Sequence, residues 1–272
     1  MAWGCFCWIP CPYKKWNEED RTAMVAMLPL VGTGLGLITA VVWSLIGLLG
    51  GSQVLSGAVV TAAYFVMTGF IHLDGFMDVA DAVMPRHPVM EERIRILKDP
   101  HTGSFAAVSM ALMFLIFAAS VATLSGSWGA GPLIFIAVAT TSRCISAVTV
   151  ISCRPMGTSQ YVTTDFGQGR AFAKAVPALI ITVLVVAACI ALCLQGPHLL
   201  DFLPGGMKYL AHAFGQSAAW VAAAAAAVCA ITALIIGALD RKALGGMNGD
   251  ISGHMITSGE MAGLLAAAIL LG

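Results

Sequence analysis

Seven apolar runs, each close to the length of a bilayer crossing, constrain this chain more than any other feature. They are Met27–Leu49, Val54–Ile71, Phe105–Leu124, Pro132–Ile151, Val176–Leu194, Ala218–Leu239 and Met255–Leu271. A helix of about 20 apolar residues spans the hydrocarbon core. In lipid only a helix, or a closed barrel, satisfies its own backbone polar groups. The second run is short, and the last is interrupted by Ser258, Gly259 and Glu260. Only 10% of residues are charged, against about 25% in soluble domains. The expected fold class is therefore all-α: a polytopic membrane helical bundle of about seven transmembrane helices. One integral membrane domain, residues 1–272, accounts for the chain. The first residues lack the basic-then-apolar order of a signal peptide.

The connections between runs fall into two kinds. Gly50–Gln53 and Ser125–Gly131 are short and uncharged, and the loop opening at Gln195 carries only Asp201 and Lys208. The others hold Lys14, Lys15 and Arg21, then Arg86, Arg93, Arg95 and Lys98, then Arg143, Arg154, Arg170 and Lys174, then Arg241 and Lys242. Lys208 stands alone on the opposite side. Basic residues are retained in the cytoplasm, which orients the chain with its N-terminus in and its C-terminus out. The net charge is zero, so nothing argues for nucleic-acid binding. Asp74, Asp78, Asp81, Asp99, Asp165, Asp240 and Asp250 collect at the cytoplasmic side. A transporter places its ionisable groups near the midplane; carboxylates gathered on one face favour an enzyme fed from the cytoplasm.

Gly69–Asp81, reading GFIHLDGFMDVAD, is the densest of these clusters. Asp74, Asp78 and Asp81 follow an i, i+4, i+7 spacing, which stacks them on one helical face. Carboxylates so placed repel unless a cation sits among them, and hard oxygen donors suit Mg²⁺ or Mn²⁺. Gly75 leaves room for a phosphate or metal to approach the backbone. A second motif, GGMNGDISG at Gly245–Gly253, reads as a tight glycine-rich turn offering the Asp250 carboxylate and the Asn248 amide; a plain connector has the same composition. Among the basic residues, Arg86, Arg93, Lys98, Arg143 and Arg154 suit phosphate, with interfacial snorkelling as the bland alternative. Arg143 interrupts an apolar run. Met90–Asp99 has the pattern of a short amphipathic helix with Ile94 and Leu97 inward, stopped by Pro100. His72 and His101 are candidate proton acceptors or phosphate donors, although simple hydrogen bonding would also explain each. Glu260, inside the last span, requires a cationic or metal partner.

Cys144, Cys189, Cys193 and Cys229 lie in apolar runs, where Cys acts as a small hydrophobe. Cys5, Cys7 and Cys11 lack a second pair at zinc-site spacing. Carboxylates, a divalent cation and arginines on one membrane face imply phosphoryl or pyrophosphate chemistry. They do not name a substrate.

At these residues the chain resembles the cobalamin synthase family, the adenosylcobinamide-GDP ribazoletransferases. The resemblance rests on GFIHLDGFMDVADAV at Gly69–Val83, RIRILKDPHTGSFAA at Arg93–Ala107 and GGMNGDISG at Gly245–Gly253. WIPCPYKKWNEED followed by LPLVGTGLG extends it toward the N-terminus. It implies a Mg²⁺-dependent transfer of adenosylcobinamide-phosphate from adenosylcobinamide-GDP to α-ribazole or its 5′-phosphate, releasing GMP. On that basis Asp74, Asp78, Asp81 and Asp250 are the expected metal ligands. Asp78, Asp81 and His72 are the candidate catalytic groups, and Arg93, Lys98, His101, Arg143 and Asn248 the substrate-binding residues. The expected location is the bacterial inner membrane, with the site facing the cytoplasm. Self-association, or association with other late cobalamin enzymes, is a further expectation. A CDP-alcohol phosphotransferase shares aspartate–metal chemistry, but its DG-x-x-AR element meets Asp78-Val79 here. An ion or metal transporter built on Asp74, Asp78 and Glu260 is the alternative from another class.

Overall fold

The structure, a computed structural model, describes residues 1–11, 17–126, 130–159, 161–162, 166–167, 171–199 and 216–271. Lys14, Lys15, Asp165, Arg170, Asp201 and Lys208, all weighed in the charge reading, lie outside the described residues. Within them the fold is helical: α1 Ala2–Phe6, α2 Arg21–Ala26, α3 Leu28–Leu48, α4 Gln53–Met67, α5 Ile71–Val83, α6 Met90–Leu97, α7 Ser104–Leu124, α8 Ala130–Ser152, α9 Ala171–Leu199, α10 Gln216–Leu244 and α11 Gly249–Leu271. The one described β-bridge joins Pro155 to Met247.

Six helices, α3 and α7 to α11, are long and apolar enough to cross a bilayer. The second apolar run departs from expectation. It is broken, with α5 leaving α4 at 92°. Gly69 (φ 60°) and Phe70 (φ 59°) both adopt left-handed backbone, which a right-handed helix cannot continue. A 15-residue α4 is about 22 Å long, short of the roughly 30 Å hydrocarbon core. Counting the bent pair as one crossing gives seven. In either count the aspartate motif lies on α5, which turns across the end of α4.

α8 forms the centre of the bundle and is buried along nearly all its length. α3 can pack closely against it because of two glycines. A Cβ on Gly32 would come within 2.4 Å of the Ala139 carbonyl oxygen, and one on Gly36 within 2.9 Å of Ile136 Cα. Small residues at such crossings let backbones approach, as lipid-embedded packing requires. Buried Trp43, Tyr64, Phe65, Phe117 and Phe135 tie α3, α4, α7 and α8 together, with Tyr64 edge-on to Phe135 at 4.9 Å. Leu37, Val41 and Leu45 of α3 and Val183 and Leu184 of α9 are exposed, the arrangement expected of lipid-facing surface.

A second core lies at the charged end. Val79 of α5, Leu97 of α6, Ile151 of α8, Leu244 of α10 and Ile251 of α11 meet there, with Ile94 packed against them. α6 thus presents the inward face its pattern predicts.

Candidate active site

α5 and α11 cross in backbone contact at this charged end. A Cβ on Gly75 would lie 2.7 Å from Asp250 Cα, and one on Gly253 would lie 2.7 Å from the His72 carbonyl oxygen. The space beside Gly75 that the sequence suggested for a ligand is therefore filled by the Asp250 backbone. The same contact brings Asp250 to the aspartate face of α5. Asp78, half-buried there, has its carboxyl pushed up to about 6, by burial first and then by the Asp74, Asp250 and Asp81 charges.

Asp250 itself is not in a loop. It occupies the first turn of α11, where the helix dipole favours negative charge. Asn248 caps that helix, accepting from Ile251 N at 2.9 Å, and its amide donates to Asp250 Oδ2 at 2.6 Å. Asn248 is thus engaged in holding Asp250. Asp81 is similarly committed: its Oδ2 accepts from Gly103 N at 2.6 Å and its Oδ1 from Ala106 N at 2.9 Å. Its carboxylate caps the start of α7 and pins the preceding loop to α5.

Among the described residues, no three Asp, Glu, His or Cys side chains converge on one point. The aspartates share a region of surface rather than a closed ligand shell. That still fits Mg²⁺, which takes one or two carboxylates and completes its octahedron with water and substrate phosphates. Exposed Asp74 and the first-turn Asp250 are the hard oxygen donors available.

The structure separates the other expected residues from this cluster. His72 faces inward, stacked on Phe6 at 6.1 Å, and its buried Nε2 has no partner among the described residues. Arg143 is fully buried and pairs with Glu260. The Glu260 Oε1 also accepts from Tyr64 Oη at 2.6 Å and Ser142 Oγ at 2.9 Å. Glu260 thus has the cationic partner expected of it, and Arg143 lies in the bundle interior instead of at a phosphate-accessible face. Arg93 donates to the carbonyls of His87 at 2.6 Å, Ala243 at 3.0 Å and Pro88 at 3.5 Å. Its guanidinium braces α6 against the end of α10. Lys98 and His101 remain on the exposed α6–α7 connection; the His101 ring bonds Asp99 at 2.7 Å. The His101 backbone N–H and ring hold the Asp99 carboxyl below its usual range.

A pair not assigned from sequence lies beside the cluster. Buried Asp240 of α10 meets His254 Nδ1 at 2.7 Å, and Phe76 of α5 packs edge-on to the His254 ring at 5.2 Å. Asp240 and His254 lie on different helices, so no spacing in the sequence signals their pairing.

Comparison with known proteins covers almost the whole chain. A family model described as Cobalamin-5-phosphate synthase matches residues 1–268. An adenosylcobinamide-GDP ribazoletransferase of Clostridium botulinum (strain Alaska E43 / Type E3) is 28% identical, covering 99% of this chain and 96% of its own. Proteins of the same name from Brevibacillus brevis (28%, covering 94% and 92%) and Pseudomonas savastanoi pv. phaseolicola (29%, covering 93% and 91%) are also similar. No solved structure matches the chain. With the family model spanning residues 1–268, both the α5 aspartates and the Asp250 turn included, the chain belongs to the cobalamin-5-phosphate synthase family.

Proposed function

We propose that the protein is a Mg²⁺-dependent adenosylcobinamide-GDP ribazoletransferase of a bacterial inner membrane, with its site open to the cytoplasm. The observation that carries this reading is the backbone-close crossing of α5 and α11, which sets Asp250 beside Asp74 and Asp78. Asp74 and Asp250 would hold Mg²⁺, which supplies charge neutralisation for a pyrophosphate when bound.

The transfer joins a ribazole hydroxyl oxygen to the cobinamide-linked phosphorus and breaks that phosphorus's bond to the GMP oxygen. GMP departs, and the hydroxyl proton must leave. Asp78 is the acceptor favoured by its surroundings: it is half-buried and its carboxyl sits near 6. Both Asp81 oxygens already accept backbone N–H groups, and His72 is buried on the interior side. Asp81 therefore positions α5 on α7. Lys98, exposed and without a partner among the described residues, is placed to meet substrate phosphate, with His101 on the same connection. Glu260, the group a transporter reading would use, is engaged by Arg143, Tyr64 and Ser142.

Purified protein with adenosylcobinamide-GDP, α-ribazole and Mg²⁺ should yield GMP and adenosylcobalamin in equal amounts. Absence of both products from folded protein would overturn the assignment.

A further inference from the structure

A cavity of about 470 Å³ opens beside the α10–α11 turn, between it and the segment following α8, lined by Arg154, Gly157, Val162, Phe166, Gly167 and Gly245. That volume falls within the range of small-molecule sites. Its walls are tied together by backbone. Met156 N donates to the Met247 carbonyl at 2.9 Å, Met247 N to the Arg154 carbonyl at 3.0 Å, and Gly167 N to the Ile151 carbonyl at 2.9 Å. Gly167, at φ 72°, passes so close that a Cβ would lie 2.7 Å from Arg154 Cα. Val162 is 50% exposed and gives one side an apolar face, whereas Phe166 is itself buried, 5.3 Å from Tyr161.

Arg154 differs from Arg93 and Arg241. Arg93 is spent on carbonyls, and Arg241 bonds the Gly237 carbonyl at 2.8 Å and Cys153. The Arg154 side chain is exposed and has no hydrogen-bond or ion-pair partner among the described residues. A free guanidinium offers the forked donor pair that phosphate oxygens accept. Gly245 of the cavity wall lies a few residues before Asn248 and Asp250 in the chain.

We propose that this cavity seats the nucleoside monophosphate part of a substrate, its phosphate on Arg154 and its base against exposed Val162. The inference rests on the transferase reading, which supplies two such groups: the GMP half of adenosylcobinamide-GDP and α-ribazole 5′-phosphate. The shared chemistry is a planar heteroaromatic base on a sugar phosphate.

Two variants test it. Arg154→Ala removes an exposed side chain that bonds no other side chain or backbone group among the described residues. Gly157→Phe adds a ring where a Cβ meets nothing within 4 Å, so it narrows the cavity without displacing neighbours. Each is assayed in phosphatidylcholine nanodiscs after a thermal melt, varying one substrate with the other saturating. We expect the KM of one substrate to rise about tenfold, the loss of one charge-assisted phosphate contact, with kcat within about threefold. Arg154→Lys should recover part of the loss. Which KM moves identifies the occupant. Unchanged KM values for both substrates in both variants would overturn the proposal. So would an effect seen only in nanodiscs containing phosphatidylglycerol, which would assign the cavity to a lipid headgroup. If the wild-type protein releases no GMP, the transferase reading fails by itself. Calorimetric titration with GMP and α-ribazole 5′-phosphate then judges the cavity: binding weakened by both variants supports it, and no binding or equal binding overturns it.

Discussion

Asp78 lies between two commitments. Asp74 and Asp250 flank it as charges, and burial raises its carboxyl to about 6 from an ordinary 3.8. A proton acceptor must be ionised to act, so kcat/KM should fall about tenfold per pH unit below about 6. A cation among the same carboxylates favours the ionised form. Raising Mg²⁺ should therefore move that acid limb to lower pH. A pH–rate series at two Mg²⁺ concentrations checks both statements; a limb insensitive to Mg²⁺ would detach the cation from Asp78. The sequence made the carboxylate face legible through its i, i+4, i+7 spacing. It did not distinguish Asp81 from its neighbours, because the backbone N–H groups that engage it belong to α7, more than twenty residues away. The partners of Arg93 and Arg143 were not legible in the sequence for a related reason. A guanidinium binds carbonyls and buried carboxylates as readily as phosphate, and only the fold shows which it meets.

At the scale of elements, the α5–α11 crossing assembles the site. Gly75→Ala would place a Cβ 2.7 Å from Asp250 Cα and 2.8 Å from its carbonyl oxygen, so the two helices must separate. An ångström-scale displacement of catalytic groups costs on the order of 10²-fold. We expect Gly75→Ala to lose about that much turnover while circular dichroism reports unchanged helix content. Full activity would mean the crossing is not needed. Periodicity and composition made the spans readable to within a few residues. They missed the break between α4 and α5, because a left-handed Phe70 runs against that residue's own preference and is imposed by packing. They also placed Asp250 in a turn, since a glycine-rich stretch reads as a connector whether or not a helix starts within it.

Across the whole molecule, α4, α8 and α11 are joined by Tyr64, Arg143 and Glu260, deep among apolar side chains. Breaking one side of a buried ion pair strands the other charge, at a cost of about 3–5 kcal/mol. Glu260→Ala should therefore lower stability by about that amount. The double variant Arg143→Met, Glu260→Met should be substantially less damaged, because no uncompensated charge remains. Denaturant unfolding in detergent measures the difference; equal losses would show that the pair's role is not electrostatic. The bundle so held aligns two structures that contribute to one face: α4 feeds α5 with its aspartates, and α11 carries Asp250. The central claim is that this face performs the transfer. Asp78→Asn, which is nearly isosteric, tests it most directly in a single-turnover assay for GMP release with saturating Mg²⁺ and both substrates. We predict a loss of about 10²–10⁴-fold, the range for a general base, with an unchanged melting temperature. Wild-type, Mg²⁺-dependent turnover by folded Asp78→Asn protein would contradict the account.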